Sequence, residues 1–330
     1  MKFFKKMLLV VLIITLVLSG YFFLGSTKPA EKITWGVNFS QKQAFGLGLD
    51  WQEIYLALLN DLGVKNLKLA VHWDLIESQE QEYSFEDIDW QIEKAEKAGA
   101  KVVLVIGMKT SRWPECHLPG WAKDLDKAGQ QEKILDMLEK VVVRYKNSTT
   151  VIAWQVENEP FFPFGECSWV DKNFLKTEID LVKSLDSQKR QVIVTDSGEG
   201  SLWIAAAKLG DVVGTTMYKK VWQHQLGFYF TWPFPAVFYH RKAEIIKRFF
   251  GKSVICAELQ AEPWSKKSLV ETSLEEQKKT MDPEQFRYIV TFASNTGLDQ
   301  FYLWGAEWWY WMKEKQGQPE IWQEAKKLFN

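Results

Sequence analysis

The stretch that decides the fold is Val151-Ile152-Ala153-Trp154-Gln155-Val156-Glu157-Asn158-Glu159-Pro160. Its apolar first part, rich in β-branched residues, is typical of a buried strand in a parallel sheet. Pro160 ends the strand, because proline has no N–H to donate to a sheet ladder. Asn158 and Glu159 are therefore predicted at the C-terminal end of a strand. A carboxylate beside an amide at that position suits proton transfer to a bound polyol. The alternative interpretation of this sequence is a solvated glutamate in a loop.

Strand-like and helix-like segments alternate from Ile33 to the C-terminus, which favours a parallel α/β fold. The predicted strands are Thr34–Asn38, Asn66–Val71, Lys101–Gly107, Val151–Val156, Gln191–Thr195, Val212–Met217, Ser253–Ala257 and Gln300–Trp304. Eight such units in one continuous domain predict a (β/α)8 TIM barrel. Active sites of these barrels lie at the C-terminal ends of the strands, where Asn158 and Glu159 are predicted.

The composition is that of a globular protein with a sizeable core, with 330 residues of which 46% are hydrophobic. The net charge of −1 shows no excess of basic residues that would indicate binding to nucleic acid. The 17 tryptophans are unusual, and tryptophan rings both fill cores and stack on sugar rings. Three cysteines and four scattered histidines show no zinc-binding spacing, so neither a metal nor a cofactor is predicted.

The cysteines are typical of an exported protein. Cys116 and Cys167 each fall in a loop after a predicted strand, and we hypothesise a disulfide between them. Two free thiols are the alternative. Cys256 lies inside an apolar strand and is predicted to be a buried free thiol.

The N-terminus is predicted to lie outside the barrel. Lys2, Lys5 and Lys6 precede the apolar run Met7–Leu24, which is just long enough to span a membrane. No Ala-x-Ala cleavage site follows, which favours an uncleaved signal anchor over a cleaved signal peptide. The lysines should stay in the cytoplasm and the rest of the chain outside. The predicted division is an anchor over residues 1–25, a linker over 26–32 and the barrel domain over 33–330.

A second carboxylate ends the seventh predicted strand, in Val254-Ile255-Cys256-Ala257-Glu258. Glu258 follows its apolar run as Glu159 does, and the fourth and seventh strands face each other across the barrel mouth. Glu262 is a competing candidate, but it lies four residues beyond Glu258 in the following loop. Glycoside hydrolysis uses two carboxyl groups that flank the scissile bond, and these two glutamates are predicted to converge on one sugar.

With these residues the chain resembles glycoside hydrolase clan A, the retaining (β/α)8 glycosidases. Asn158-Glu159-Pro160 matches the acid/base motif of the clan, and Glu258 matches its nucleophile. Trp304 ends the eighth strand, where the clan often places a tryptophan that stacks on the sugar. Tyr218 follows the sixth strand, near where a tyrosine of the clan commonly hydrogen-bonds the nucleophile.

The stretch Asn66–Gly107 resembles the corresponding region of family 5 cellulase-like and family 42 β-galactosidase-like enzymes. Lys68 stands where these families usually carry an arginine that supports the nucleophile. The resemblance implies double displacement, with Glu258 as nucleophile and Glu159 as proton donor and later base. It also implies that Asn158 binds the 2-hydroxyl of the sugar. Further candidates for sugar contacts, each also explained by packing or a structural hydrogen bond, are His72, Trp73, Trp113, Trp121, Trp169 and Glu307.

Two other functions share these residues: an inactive barrel that binds glycans at the cell surface, and a transglycosylase of envelope glycans. The segment Val221–His240 is too long and too aromatic for an average connection. It is interpreted as the wall of a substrate cleft, a contact with the membrane surface, or a cap on the barrel. The predicted partners are thus a carbohydrate and, through the N-terminal helix, a membrane.

Overall fold

Eight parallel strands close into a barrel in the computed structural model of this chain, which describes residues 2–224 and 226–329. The strands in these ranges are β1 (Thr34–Phe39), β2 (Asn66–Ala70), β3 (Lys101–Ile106), β4 (Val151–Val156), β5 (Gln191–Asp196), β6 (Val212–Met217), β7 (Lys220–Gln223), β8 (Phe228–Thr231), β9 (Ser253–Gln260) and β10 (Gln300–Trp304). The barrel order is β1-β10-β9-β6-β5-β4-β3-β2. The prediction of a (β/α)8 barrel is confirmed, and the eight predicted strands form it.

The helices of the described residues mostly lie between consecutive barrel strands. They are α1 (Lys2–Phe23), α2 (Gln41–Gly46), α3 (Trp51–Asn60), α4 (Trp73–Ile76), α5 (Glu86–Lys97), α6 (Lys127–Tyr145), α7 (Lys172–Leu185), α8 (Ile204–Leu209), α9 (Ala236–Phe250), α10 (Leu274–Gln277), α11 (Pro283–Ser294), α12 (Ala306–Gln316) and α13 (Glu320–Lys326). Aspartates cap several N-termini. Asp50 accepts from the backbone N–H of Gln52, and Asp282 from that of Gln285.

The strand that carries Glu258 is irregular at that point. On β9, Cys256 pairs with Thr215 of β6, but Glu258 pairs with the very next residue, Thr216. Ala257 is therefore an extra residue, as in a β-bulge. Side chains alternate along a strand, so one extra residue changes the side to which every later side chain points. This bulge sets the direction in which the carboxylate of Glu258 points at the end of the barrel.

The core has two layers. Mostly small and branched side chains, together with one tyrosine, fill the barrel interior, and a larger layer lies between the strands and the surrounding helices. The interior cluster consists of Val103, Ala153, Ile193, Val212, Ile255 and Tyr302. Because these apolar residues fill the barrel below its mouth, the polar residues at the strand ends gather above them.

The N-terminal helix α1 stands apart from the barrel along most of its length. Its segment Phe3–Phe23 is long and apolar enough to cross a membrane. A signal sequence can have the same length and composition. Only its C-terminal end touches the barrel domain. There Phe22 and Phe23 lie 5.8 and 5.7 Å from the ring of Phe238 at the start of α9.

The aromatic segment Val221–His240 is more regular than a long loop. It contains most of an antiparallel hairpin, β7 and β8, and the first residues of α9. Gln225, within the hairpin turn, lies outside the described residues. The hairpin was not predicted, because the sequence between its two short strands carries no clear turn signal.

Candidate active site

Glu159 lies just beyond β4 at the mouth of the barrel. Its backbone has a φ of 41°, and its N–H donates to Oγ1 of Thr195 at 2.8 Å. One carboxyl oxygen accepts a hydrogen bond from the Thr216 hydroxyl at 3.3 Å. Burial raises the pKa of Glu159 well above its usual value, and the nearby carboxylates of Glu258 and Glu115 raise it further. These surroundings therefore favour the protonated form of the Glu159 side chain.

The turn that carries Glu159 is built on the preceding glutamate. Glu157 has a φ of 58°, and its two carboxyl oxygens accept the backbone N–H groups of Met108 at 2.7 Å and Lys109 at 2.6 Å. Gly107 has a φ of 127°, and a Cβ there would collide with the Glu157 carboxyl group. Glu157 thus joins the end of β4 to the end of β3 and holds the turn in its left-handed conformation.

Glu258 occupies a different environment at the end of β9. Its Oε2 accepts a hydrogen bond from the Tyr218 hydroxyl at 2.7 Å, and its Oε1 lies 3.4 Å from the Ser111 hydroxyl. The ammonium group of Lys68 is 3.6 Å from the same Oε1 and donates to Gln155 at 3.0 Å. Burial lowers the pKa of Lys68, an effect that the charge of Glu258 opposes. Lys68 thus places an ammonium group beside Glu258, where the resembling families usually carry an arginine.

Asn158 is held by hydrogen bonds to two neighbours. Its Oδ1 accepts from Gln155 at 3.0 Å, and its Nδ2 donates to Oε2 of Glu115 at 3.2 Å. Glu115 is a buried third carboxyl group at this site, which the sequence analysis missed. Burial raises the pKa of Glu115 to about 8, and the charge of Glu258 adds to the effect. Nothing in the sequence around Glu115 marks it, since it lies in a loop and follows no apolar run.

The loop after β3 brings Glu115 to the site through a strained path. Arg112 and Glu115 have φ values of 97° and 71°, which non-glycine residues rarely adopt. Cys116 forms a disulfide with Cys167 in the loop after β4, with the two Cα atoms 5.2 Å apart. The structure therefore joins the cysteines that the sequence hypothesis paired, and it leaves Cys256 as a buried free thiol. The disulfide holds together the two loops that frame Glu115 and Glu159.

Arg112 organises a second charged cluster on the same face. Its guanidinium group lies 3.9 Å above the ring of Trp304 and forms ion pairs with Glu262 and Glu307. Trp304 donates its indole N–H to Glu262 at 2.8 Å, and Glu307 also accepts the backbone N–H of Ser40 at 2.6 Å. One face of Trp304 is thus covered by Arg112. Sugar binding by Trp304 and Glu307 stays a prediction.

His72 and Trp73 follow β2 and are both buried. The two ring nitrogens of His72 lie 3.0 Å from the Ser40 hydroxyl and 2.9 Å from the Thr110 hydroxyl. Burial lowers the pKa of His72 well below its usual value, so the ring is neutral. Trp73 donates to Glu77 at 2.7 Å. These partners explain both side chains structurally, and their predicted sugar contacts remain untested.

The loop tryptophans differ in exposure. Trp113 is 62% exposed and contacts Phe164 at 5.9 Å, on a row of rings that continues through Trp264 to Tyr218. Trp121 and Trp169 are half-buried, and each uses its indole N–H within the fold. Trp113 is therefore the most exposed of these three tryptophans.

Several solved structures have this fold. A glycosidase designated GH5_18 from Streptomyces cattleya, in complex with GlcNAc, is 12% identical, with a TM-score of 0.58, and the match covers 85% of this chain and 71% of that one. The cold-adapted β-galactosidase of Rahnella sp. R3 is 12% identical, with a TM-score of 0.62 and coverage of 92% and 57%. An exo-β-1,4-mannosidase from Opitutaceae bacterium strain TAV5 is 14% identical, with a TM-score of 0.56 and coverage of 87% and 54%. The chain thus spans little more than half the length of the last two proteins.

The fold is that of the (β/α)8 glycosidases of glycoside hydrolase clan A, as the sequence resemblance indicated. A match to one family model supports a glycosidase. The model that matches is that of glycosyl hydrolase family 10, over residues 29–177, which is less than half of the chain. No curated protein matches the sequence.

Proposed function

We propose that this chain is a retaining β-glycosidase in which Glu159 is the acid/base and Glu258 the nucleophile. One observation carries the proposal: two buried carboxyl groups, Glu159 just beyond β4 and Glu258 near the end of β9, have different environments. Glu258 has the Tyr218 hydroxyl and the Lys68 ammonium group beside it, which supply a hydrogen-bond donor and a positive charge. Glu159 is buried near two other carboxyl groups, which favours its protonated form. Such a separation of environments assigns acid and nucleophile in glycosidases.

The proposed reaction has two steps. In the first, a carboxylate oxygen of Glu258 bonds to the anomeric carbon while the glycosidic bond breaks, and Glu159 transfers its proton to the leaving oxygen. In the second, ionised Glu159 takes a proton from water, and the water oxygen attacks the anomeric carbon. The ester bond to Glu258 then breaks, releasing the sugar and restoring both carboxyl groups.

We further propose that the barrel domain, residues 33–330, lies outside the cytoplasm and is attached to the membrane by an uncleaved N-terminal anchor. The basic residues Lys5 and Lys6 would remain on the cytoplasmic side of the membrane. The disulfide between Cys116 and Cys167 supports this placement, because disulfides persist in oxidising compartments. Residues 26–32 would then connect the anchor to the barrel.

Azide rescue tests the assignment of the two glutamates. With Glu258→Ala we expect no turnover of an aryl β-glycoside, and azide should restore it with an α-glycosyl azide as product. With Glu159→Ala, an activated aryl glycoside should still form the glycosyl-enzyme, and azide should give the β-product. Glu262→Ala is the matched control, because azide should form no glycosyl azide in that variant.

Wild-type activity in both glutamate variants would refute the proposal. Tight oligosaccharide binding without any hydrolysis by the wild-type chain would favour the inactive glycan-binding barrel. Product analysis at high acceptor concentration separates hydrolysis from transglycosylation. Aryl β-glycosides tested beside β-glucan, mannan and galactan would identify the sugar and show whether cleavage is internal or terminal.

A further inference from the structure

We propose that the aromatic hairpin after β6 rests on the lipid surface and holds the mouth of the barrel at a set distance from the membrane. The hairpin consists of β7 and β8, and its rings continue into the start of α9. We call this set the aromatic foot: Phe228, Phe230, Trp232, Phe234 and Phe238. The proposal rests on the proposed membrane anchor and adds to it a second lipid contact, made by the barrel domain itself.

The rings of the aromatic foot form an unbroken series of contacts. Successive centroids are 6.5 Å apart from Phe228 to Phe230, 4.9 Å to Trp232, 5.6 Å to Phe234 and 4.3 Å to Phe238. The series ends on the anchor, because Phe238 also contacts the two phenylalanines that end α1. The foot is therefore continuous with the helix that would cross the membrane.

The two faces of the hairpin have different partners. Phe228, Phe230 and Trp232 share one face, because side chains alternate along a strand. Tyr229 points to the other face, where it contacts Trp222 at 5.0 Å and donates to Glu276 at 2.6 Å. The side-chain hydrogen bond to Glu276 is thus made on the Tyr229 face, opposite the foot.

The tip of the hairpin exposes two apolar side chains. Leu226 is 63% exposed and Phe228 is 47% exposed, on either side of Gly227. Contiguous exposed apolar surface is unusual in a protein domain surrounded by water and marks contact sites. A lipid surface would remove these side chains from water without requiring a shaped partner.

The position of the foot along the anchor matches the edge of a bilayer. The apolar segment of α1 ends at Phe23, and that is the end which the foot contacts. The guanidinium group of Arg241 lies 5.0 Å from the ring of Tyr21, a pairing of aromatic and basic side chains that suits the membrane–water interface. The foot therefore lies at the depth where aromatic rings are favoured.

The hairpin is fixed to the strand of the proposed nucleophile. Gln260, two residues after Glu258, accepts the backbone N–H groups of Lys219 at 2.8 Å and Lys220 at 3.0 Å. Its side-chain amide donates back to the carbonyl group of Lys220 at 2.6 Å. A foot held by the bilayer would consequently fix the height of the active site, which favours glycans close to the membrane surface.

Fluorescence quenching on the full chain in phosphatidylcholine–phosphatidylglycerol vesicles tests this placement. A polarity-sensitive thiol label is attached at Leu226→Cys, and the matched control is Val143→Cys, which is 43% exposed on α6. The unsubstituted chain shows any labelling of Cys256. We expect bromolipids to quench the label at 226 and not that at 143. Aqueous iodide should quench the label at 226 severalfold less than the label at 143.

Equal iodide quenching at both positions would overturn the proposal, and so would an intact mass showing that the first 25 residues have been removed. Protection at position 226 that appears only after adding oligosaccharide would instead make the hairpin a wall of the substrate cleft. Quenching needs no turnover, so loss of glycosidase activity and loss of the lipid contact are separate results.

Discussion

The Tyr218 hydroxyl donates a 2.7 Å hydrogen bond to Oε2 of Glu258, joining the end of β6 to the strand that carries the proposed nucleophile. Burial raises the pKa of Tyr218 well above its usual value, and the charge of Glu258 raises it further. The phenol therefore keeps its proton and remains a donor. A buried donor of this kind orients the carboxylate and spreads its charge before a sugar arrives.

Removing that hydroxyl should slow the reaction. Tyr218→Phe should lower kcat by about 10- to 100-fold, the effect of losing a hydrogen bond to a charged group. Tyr55→Phe is the matched control, because the buried Tyr55 hydroxyl donates to the Gln91 carbonyl group away from the site. Steady-state kinetics with an aryl glycoside provides the measurement, and equal kcat values in both variants would contradict the role of Tyr218.

Lys68 should support Glu258 by charge. Lys68→Met removes the cation 3.6 Å from the carboxylate, and we expect kcat to fall by about 100-fold or more. Lys68→Arg keeps the charge but must fit a larger planar group into a buried site, so it should recover only part of the loss. Thermal unfolding checks that both variants fold. An arginine variant no better than the methionine variant would argue that shape matters more than charge.

Glu115 should influence the pH dependence of the reaction. Its charge raises the pKa of Glu159, and its own pKa of about 8 means that this charge develops above neutrality. Glu115→Gln keeps an acceptor for Asn158 but removes the charge, so Glu159 should lose its proton at lower pH. The alkaline limb of kcat/KM should then move to lower pH, by up to about one pH unit.

The control for this change is Glu166→Gln, which removes an exposed carboxylate from the neighbouring loop. It should leave the profile of kcat/KM in place. An alkaline limb that stays fixed in Glu115→Gln, with normal folding, would show that Glu115 does not tune the proton donor.

Trp113 should contribute to binding of longer substrates. Its ring is exposed beside Phe164, on the row of aromatic residues that leads to Tyr218. Trp113→Ala should raise KM for oligosaccharides by about 3- to 10-fold, as expected from losing one stacking contact. KM for an aryl monosaccharide should change little. Phe249→Ala, which removes an exposed ring at the end of α9, should affect neither substrate.

A buried carboxyl pair beneath the active-site turn should make stability depend on pH. Glu178 hydrogen-bonds Glu157, and burial followed by repulsion between the two groups raises the pKa of Glu178 well above its usual value. Protonated Glu178 makes its full contribution to the free energy of unfolding at pH values below its unfolded-state pKa of about 4.3. This contribution is lost as the pH rises through the raised pKa of the folded state. Glu178→Gln keeps a donor and removes this dependence.

We therefore expect the difference in unfolding temperature between Glu178→Gln and wild type to change in favour of the variant from pH 5 to pH 9. The expected change is about 2–4 °C or more. Glu178→Ala should unfold at lower temperature than Glu178→Gln at every pH, because it leaves a cavity and an unpaired group. Scanning calorimetry in detergent micelles measures both. Identical pH dependence in wild type and Glu178→Gln would contradict this account.

The barrel and its carboxylate pair could be predicted because short stretches of sequence encode both. A strand buried on both faces is a continuous apolar run, and polar residues that follow it lie near the strand end. Glu159 and Glu258 could be recognised for this reason, although β9 continues past Glu258 to Gln260. Helix α12 was missed because its apolar residues fall in its first half and its charged residues mostly in its second, which is not the amphipathic pattern of a surface helix.

The remaining contacts of the site depended on closure of the barrel. Glu115 meets Asn158 across 43 residues of sequence, and Arg112 meets Glu307 across 195. Their partners are set by loops with left-handed residues and by a bulge in β9, features without periodicity. The sequence by itself determined the strands and the two glutamates, since burial and strand ends leave a local pattern. Only the tertiary structure decided which groups surround each glutamate, because charge interactions act through space and ignore chain order.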